Sequence, residues 1–168
     1  TTTGVHNLEK LHKKGKLIIP AFSVGRTQEL LYSLNQLEIE NRLPELQYFV
    51  DSPLSSKATQ IIKSYPQYFN NRIQKILQSD SDPFAFKGLK FTKSVDDSKM
   101  LNYYKGPCVI ISASGMAEAG RIKHHISNNI ESSRNTILFT GYCEPNSLGG
   151  RLMRKPREVN IFGQPHEV

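Results

Sequence analysis

Cysteine is scarce. The 168 residues hold two, Cys108 and Cys143, with no CxxC pair. A disulfide framework and a paired-thiolate metal site are therefore both excluded. Each cysteine sits beside a predicted strand and is read as a reduced, packing thiol of a cytoplasmic protein. Long apolar runs are missing too: no stretch approaches a membrane span, so no membrane partner is expected. The start, TTTGVHNLEK, is polar, shows no signal-peptide pattern and lacks an initiator Met. The chain is accordingly expected to be a fragment of a larger protein. There is no internal repeat, low-complexity tract or linker, and residues 1–168 are read as one domain with a real core. Acidic residues are outnumbered, 15 against 22 basic ones, for a formal net charge of +7. That balance favours an acidic partner, nucleic acid first.

Several chemical signatures are also absent. Neither G-x-G-x-x-G nor G-x-x-x-x-G-K-[ST] occurs, so no nucleotide cofactor is expected. There is no HxH and no HExxH. His124 and His125 are adjacent, and neighbours on a helix point about 100° apart, a poor geometry for chelating one ion. They are read as exposed surface histidines. Asp96 and Asp97 are read as helix-cap residues, and Glu144 lies in a turn without a carboxylate partner. No hydrolytic set is complete, so no catalytic residue and no metal ligand is assigned.

What is present is alternation. Lys16 to Phe22 (KLIIPAF) is a buried strand, followed by a loop, Ser23 to Thr27, and a helix carrying Leu30, Leu31, Leu34 and Leu37. Gln47 to Val50 is the next strand; Ser52 caps a helix with Pro53 in its first position. Pro66 breaks that helix, and Ile73, Ile76 and Leu77 mark another. Asp80 to Pro83 is a turn, and Leu89 to Thr92 a short strand. Ser94 with Asp97 makes a capping box for a helix through Met100 and Leu101. Cys108 to Ile126 is the centre: a strand, a small polar loop, then a helix with Ile122, Ile126 and Ile130 on one side. Thr136 to Thr140 is a strand, Leu148 to Met153 a short helix, and Val159 to Phe162 a last strand. Before all of these, Val5, Leu8 and Leu11 suggest a weak amphipathic turn ending at Gly15.

Strands alternating with helices predict an α/β, Rossmann-like three-layer domain, a mainly parallel sheet flanked by helices on both faces. In such a sheet the loops Ser23–Thr27, Asp51–Ser55, Ser112–Arg121 and Gly141–Arg151 share one edge, where open α/β sheets bind ligands. Gly, Ser and Arg beside helix N-termini suit phosphate there, although tight strand-to-helix turns demand the same residue types. Two basic clusters stand out. Lys10, Lys13, Lys14 and Lys16 are read as solvated surface. Arg151, Arg154, Lys155 and Arg157 adjoin Gly149-Gly150 and would extend an RNA path.

Four blocks resemble a known family. IPAFSVGRTQELL (Ile19 to Leu31), VDSPLS (Val50 to Ser55), ISASGMAEAGRIKHHI (Ile111 to Ile126) and NTILFTGYCEPNSLGGRLM (Asn135 to Met153) are similar, in order, to segments of β-CASP nucleases of the metallo-β-lactamase superfamily. The RNA-processing branch, with the cleavage-and-polyadenylation endonuclease, is the nearest in flavour. The resemblance implies a β-CASP domain inserted in, and capping, a metallo-β-lactamase domain that holds two zinc ions in an HxHxDH-centred site. RNA would run between the two, and the termini of the inserted domain would emerge close together. The HxHxDH block is not in this chain, which alone should be inactive and bind no metal. Positions implied to face RNA are Ser23, Gly25, Arg26, Ser52, Ser112, Ser114, Gly115, Met116, Arg121 and Tyr142, with Arg151 added. Arg26 and Arg121 would either contact phosphate or brace the loops through backbone carbonyls. In the family Arg directly follows the LG pair, whereas here Gly150 stands before Arg151. The parent would be a zinc-dependent ribonuclease, cutting internally or from the 5′ end. The alternatives are a non-catalytic interaction domain and a small-molecule enzyme on a Rossmann-like fold.

Overall fold

The computed structural model describes residues 15–78 and 82–168. Five strands make one parallel sheet: β1 Lys16–Pro20, β2 Gln47–Asp51, β3 Leu89–Phe91, β4 Cys108–Ser112 and β5 Thr136–Ile137. Their order is β3-β2-β4-β1-β5, every pairing parallel. The helices are α1 Arg26–Ile39, α2 Pro53–Lys63, α3 Asn71–Ile76, α4 Val95–Met100, α5 Arg121–Asn129 and α6 Leu148–Met153. The expected three-layer α/β architecture is the one observed.

Period-two alternation splits the strands between two cores. Leu17, Ile19, Tyr48, Val50, Val109 and Ile111 join Leu31 and Leu34 of α1 on one face. Ile18 joins Ile122 and Ile126 of α5 and Leu148 and Leu152 of α6 on the other, while Phe49 and Ile110 meet Leu101. Burying each such side chain contributes about 1.5–3 kcal/mol, and β1 and β4 are buried on both faces along their whole length. This explains their unbroken apolar runs.

The two crossovers leave the sheet centre in opposite senses. From β1 the chain passes through α1 to β2; from its neighbour β4 it passes through α5, on the other face, to β5. The carboxyl ends of β1 and β4 therefore flank a topological switch point, where helices diverge and a crevice opens.

Local signals hold at several helix starts. The Ser52 hydroxyl accepts from Ser55 N (3.2 Å) ahead of Pro53. Ser94 and Asp97 cap reciprocally, Asp97 N to the Ser94 hydroxyl (3.0 Å) and Ser94 N to Asp97 Oδ2 (2.9 Å). Elsewhere the structure departs from expectation. The helix through Leu101 ends at Met100 and continues as a 3-10 turn, Leu101–Tyr103. The strand expected over Thr136 to Thr140 stops at Ile137; Leu138 N still donates to Ile18 O, after which the chain turns so that Phe139 packs against Gly149. The last strand does not join the sheet. β6, Glu158–Ile161, pairs antiparallel with β7, Gln164–Glu167. The two residues between them, Phe162 (φ 53°) and Gly163 (φ 79°), have the left-handed backbone that matches strand twist in tight hairpins.

Lys16 is not solvated surface. It is buried, and its ammonium donates to Leu101 O (2.7 Å) and Asn102 O (3.2 Å). Its neighbour Cys108 is a packing residue: burial pushes the thiol up to about 11, with the Lys16 charge opposing only in part. Both cysteines are free and buried. The amphipathic turn before Gly15, Lys10, Lys13, Lys14, the first half of the turn at Asp80 and the expected proximity of the termini lie outside the described residues. Among the described residues no helix is long and apolar enough to cross a membrane.

Candidate nucleic-acid interface

The loops after β2, β4, β1 and β5 lie side by side on the carboxyl edge of the sheet, in that order. The loop after β1 is held from three directions. Ala21 N donates to Ser112 O (2.9 Å), and Thr27 donates from its hydroxyl to Phe22 O (2.8 Å). Gln28, buried in the first turn of α1, accepts from Gly25 N (2.7 Å) and donates to Ser23 O (3.1 Å) and the Thr59 hydroxyl (2.9 Å). Phe22 is then free to lay its half-exposed ring on the loop after β4. A Cβ on Gly115 would stand 2.8 Å from that ring, so only glycine allows the two loops to touch.

The loop after β4 rests on glycine for two further reasons. Gly120 has φ +81°, and a Cβ there would lie 2.5 Å from Ala113 O. Ser114 N donates to Ala119 O (3.1 Å), closing the loop, and Met116 O accepts from Gly149 N (2.9 Å), tying it to α6. Gly150, which stands before Arg151, is tightly packed. A Cβ at that position would come within 2.1 Å of Glu144 O, so glycine is what lets α6 start against the preceding turn. Arg151 follows on the exposed side of α6.

Below this surface lies an unforeseen charge cluster. Asp51, at the end of β2, has no side-chain exposure. Its Oδ1 accepts from Arg121 Nη1 (2.7 Å) and from the Thr92 hydroxyl; its Oδ2 accepts from Ser98 (2.5 Å) and from His125 Nε2 (2.5 Å). Burial alone would raise the Asp51 carboxyl. The hydrogen bonds from His125, Ser98, Thr92 and Arg121 outweigh burial and hold it well below the usual carboxylate range. His125 Nδ1 has no partner among the described residues, so the tautomer that satisfies the pair carries its hydrogen on Nε2. His125 is thus buried, a correction to its reading as a surface histidine; His124 is exposed and stacks on Phe162, ring centroids 4.6 Å apart. The signal was in the spacing: His125 sits three residues after Ile122 and four before Asn129, both on the buried side of α5.

The residues implied to face RNA fall into two groups. Arg26, Gly25 and Tyr142 are exposed, with Ser23, Ser114, Gly115 and Met116 half-buried beside them. Arg26 pairs with Glu29 (2.7 Å), and its guanidinium lies 3.9 Å from where a Gly141 Cβ would be, between the loops after β1 and β5. Ser52 and Ser112 are buried and committed: Ser52 caps α2 and lies 3.2 Å from the Ser23 hydroxyl, and Ser112 donates to Asp51 O (2.6 Å). They build the edge without presenting hydroxyls on it. Arg121 does brace the loop, through the buried Asp51 carboxylate instead of a backbone carbonyl. Phe22, which closes the run read as a buried strand, is exposed, as is Val24 in the loop after it.

These residues do not fit a metal ion. Both Asp51 oxygens and His125 Nε2 are taken by hydrogen bonds, and the described residues contain no group of three His, Cys, Asp or Glu side chains able to hold one.

A doubly wound α/β domain with a glycine-built carboxyl edge that bears exposed Arg26 and Arg151 is thus defined. Residues 27–152 match the Beta-Casp domain family, and the chain belongs to it. It is 35% identical over 158 residues to Ribonuclease TTHA0252 of Thermus thermophilus, covering 94% of this chain and 36% of that protein. It is 30% identical over 155 residues to Transcription termination factor FttA of Methanosarcina mazei, covering 92% and 24%. With Cleavage and polyadenylation specificity factor subunit 3 of Dictyostelium discoideum it shares 31% over 160 residues, covering 94% and 20%. The chain thus spans about a third or less of the length of these curated relatives.

Proposed function

We propose that this β-CASP domain positions RNA for a parent ribonuclease of the metallo-β-lactamase superfamily, closing the cleft over that enzyme's catalytic domain. The observation that carries the reading is the carboxyl edge. Four loops meet there at the switch point of the sheet, with Arg26, Tyr142 and Arg151 exposed on or beside it and Arg121 fixed behind. The relatives' names support it, since they describe RNA-cutting and RNA-processing proteins. The parent's two zinc ions would be held, and would activate the attacking water, outside this chain. The residues of this chain bind and orient the strand and perform no bond cleavage; the parent's cut is endonucleolytic or 5′-to-3′ exonucleolytic.

The test is fluorescence anisotropy of the purified chain with labelled single-stranded RNA across a salt series. Weak binding that falls steeply with salt is expected, with Arg26→Ala and Arg151→Ala each lowering the log–log salt slope by about 0.7. Binding unchanged in the double variant would remove the edge from the assignment. No cleavage by the isolated chain is expected with or without added zinc, and RNA cut by it would overturn the division of labour.

A further inference from the structure

We propose that a second single-stranded RNA track runs from this edge along the outer face of α2 to a stacking site at Tyr65 and Tyr68. The proposal rests on the RNA reading above and extends it to a surface outside the sheet edge. Leu54, Lys57 and Ile61 recur at spacings of three and four and are all exposed, so α2 carries an apolar-and-basic stripe toward solvent. The stripe begins two residues after Ser52, against which Ser23 of the edge is packed. Eleven residues of helix carry it about 16 Å. It ends at Tyr65 and Tyr68, 49% and 82% exposed, with ring centroids 6.3 Å apart and tilted by 49°. Ile61, Ile62 and Phe69 complete a surface cavity of about 430 Å³, and Phe69 is fixed beneath by an edge contact with Phe84.

Charge identifies the occupant. Residues 53–78 contain Lys57, Lys63, Arg72 and Lys75 and no Asp or Glu, although the whole chain has 15 acidic residues. Lys63 is engaged by Asp82; Lys57 and Lys75 are exposed. An apolar protein partner would be served by the stripe alone. A segment without acids of its own, with Lys57 and Lys75 exposed beside tilted tyrosines, suits a polyanion that carries a flat ring at every unit, because every base has a face to stack and every linkage a charge.

The experiment compares labelled oligouridylates of about 4 and about 16 nucleotides on the full chain, by anisotropy over a salt series. Tyr65→Ala/Tyr68→Ala should weaken the long RNA by about 5- to 100-fold and bring both its affinity and its salt slope down to those of the short one. Tyr65→Phe/Tyr68→Phe should bind as the wild type. Lys57→Ala/Lys75→Ala should lower the slope by about 1.4. A wild type that ignores RNA defeats the parent reading and this one together. A wild type that binds, weakens with Arg26→Ala and is indifferent to the tyrosine substitutions defeats the track alone. Thermal melts of each variant establish that these exposed changes leave the fold intact.

Discussion

The loops after β1 and β4 begin alike and end differently. Each closes on a glycine with positive φ, Gly25 at 86° and Gly120 at 81°, followed by an arginine that opens a helix. Arg26 extends into solvent and meets Glu29; Arg121 turns inward onto the buried Asp51. The same two-residue device thus yields one arginine open to solvent and one that locks the frame. What decides is the strand next door: β4 pairs with β2, whose last residue is Asp51, whereas β1 pairs with β4 and β5 and has no carboxylate beneath it.

The largest test of that contrast is Asp51→Ala, which strands Arg121 and His125 without their shared acceptor. Removing one member of a buried ion pair typically costs about 3–5 kcal/mol, and urea unfolding should show a loss of that order. The glycine pair comes next. Gly120→Ala meets both an unfavourable φ and the Ala113 carbonyl, and should lose more than about 2 kcal/mol. Gly25→Ala meets only the φ, since no described residue lies within 4 Å, and should lose about 1–2 kcal/mol. Equal losses would show that the space under Gly120 relaxes.

Acid sharpens the same comparison. Because the folded Asp51 carboxyl titrates below its unfolded value, its contribution is fully present above about pH 4 and is lost as pH falls toward the folded value. Stability measured from pH 5 downward should therefore fall in the wild type, and Asp51→Asn should remove that part of the slope. The smallest effect is expected at Arg26→Ala, within about 0.5 kcal/mol on unfolding, because an exposed pair contributes little.

These outcomes also track what could be read from sequence. Caps, strand runs and helix stripes depend on residues within one turn of each other, and Ser52 with Pro53 or Ser94 with Asp97 needed nothing more distant. The Asp51 cluster joins positions 41, 47, 70 and 74 residues apart, so no local window contains it. The hairpin of β6 and β7 escaped for a related reason. Its turn places Phe162 at positive φ where Asn or Gly would have signalled one, and the ring is held there by His124 and by the Lys123 ammonium 4.9 Å from its centroid. The edge was foreseeable as a place, since parallel connectivity alone gathers the loops. Which hydroxyls face outward was not, because Ser23 and Ser52 look alike until their burial is known.

The outer strands of the sheet have a consequence for how this domain keeps company. β3 offers three residues and β5 two, against five in each of the three strands between them. So short a selvage gives an incoming chain almost no backbone to hem onto, and a stray strand would gain one or two hydrogen bonds at most. Through this sheet, crowded copies of the domain are therefore poor templates for one another.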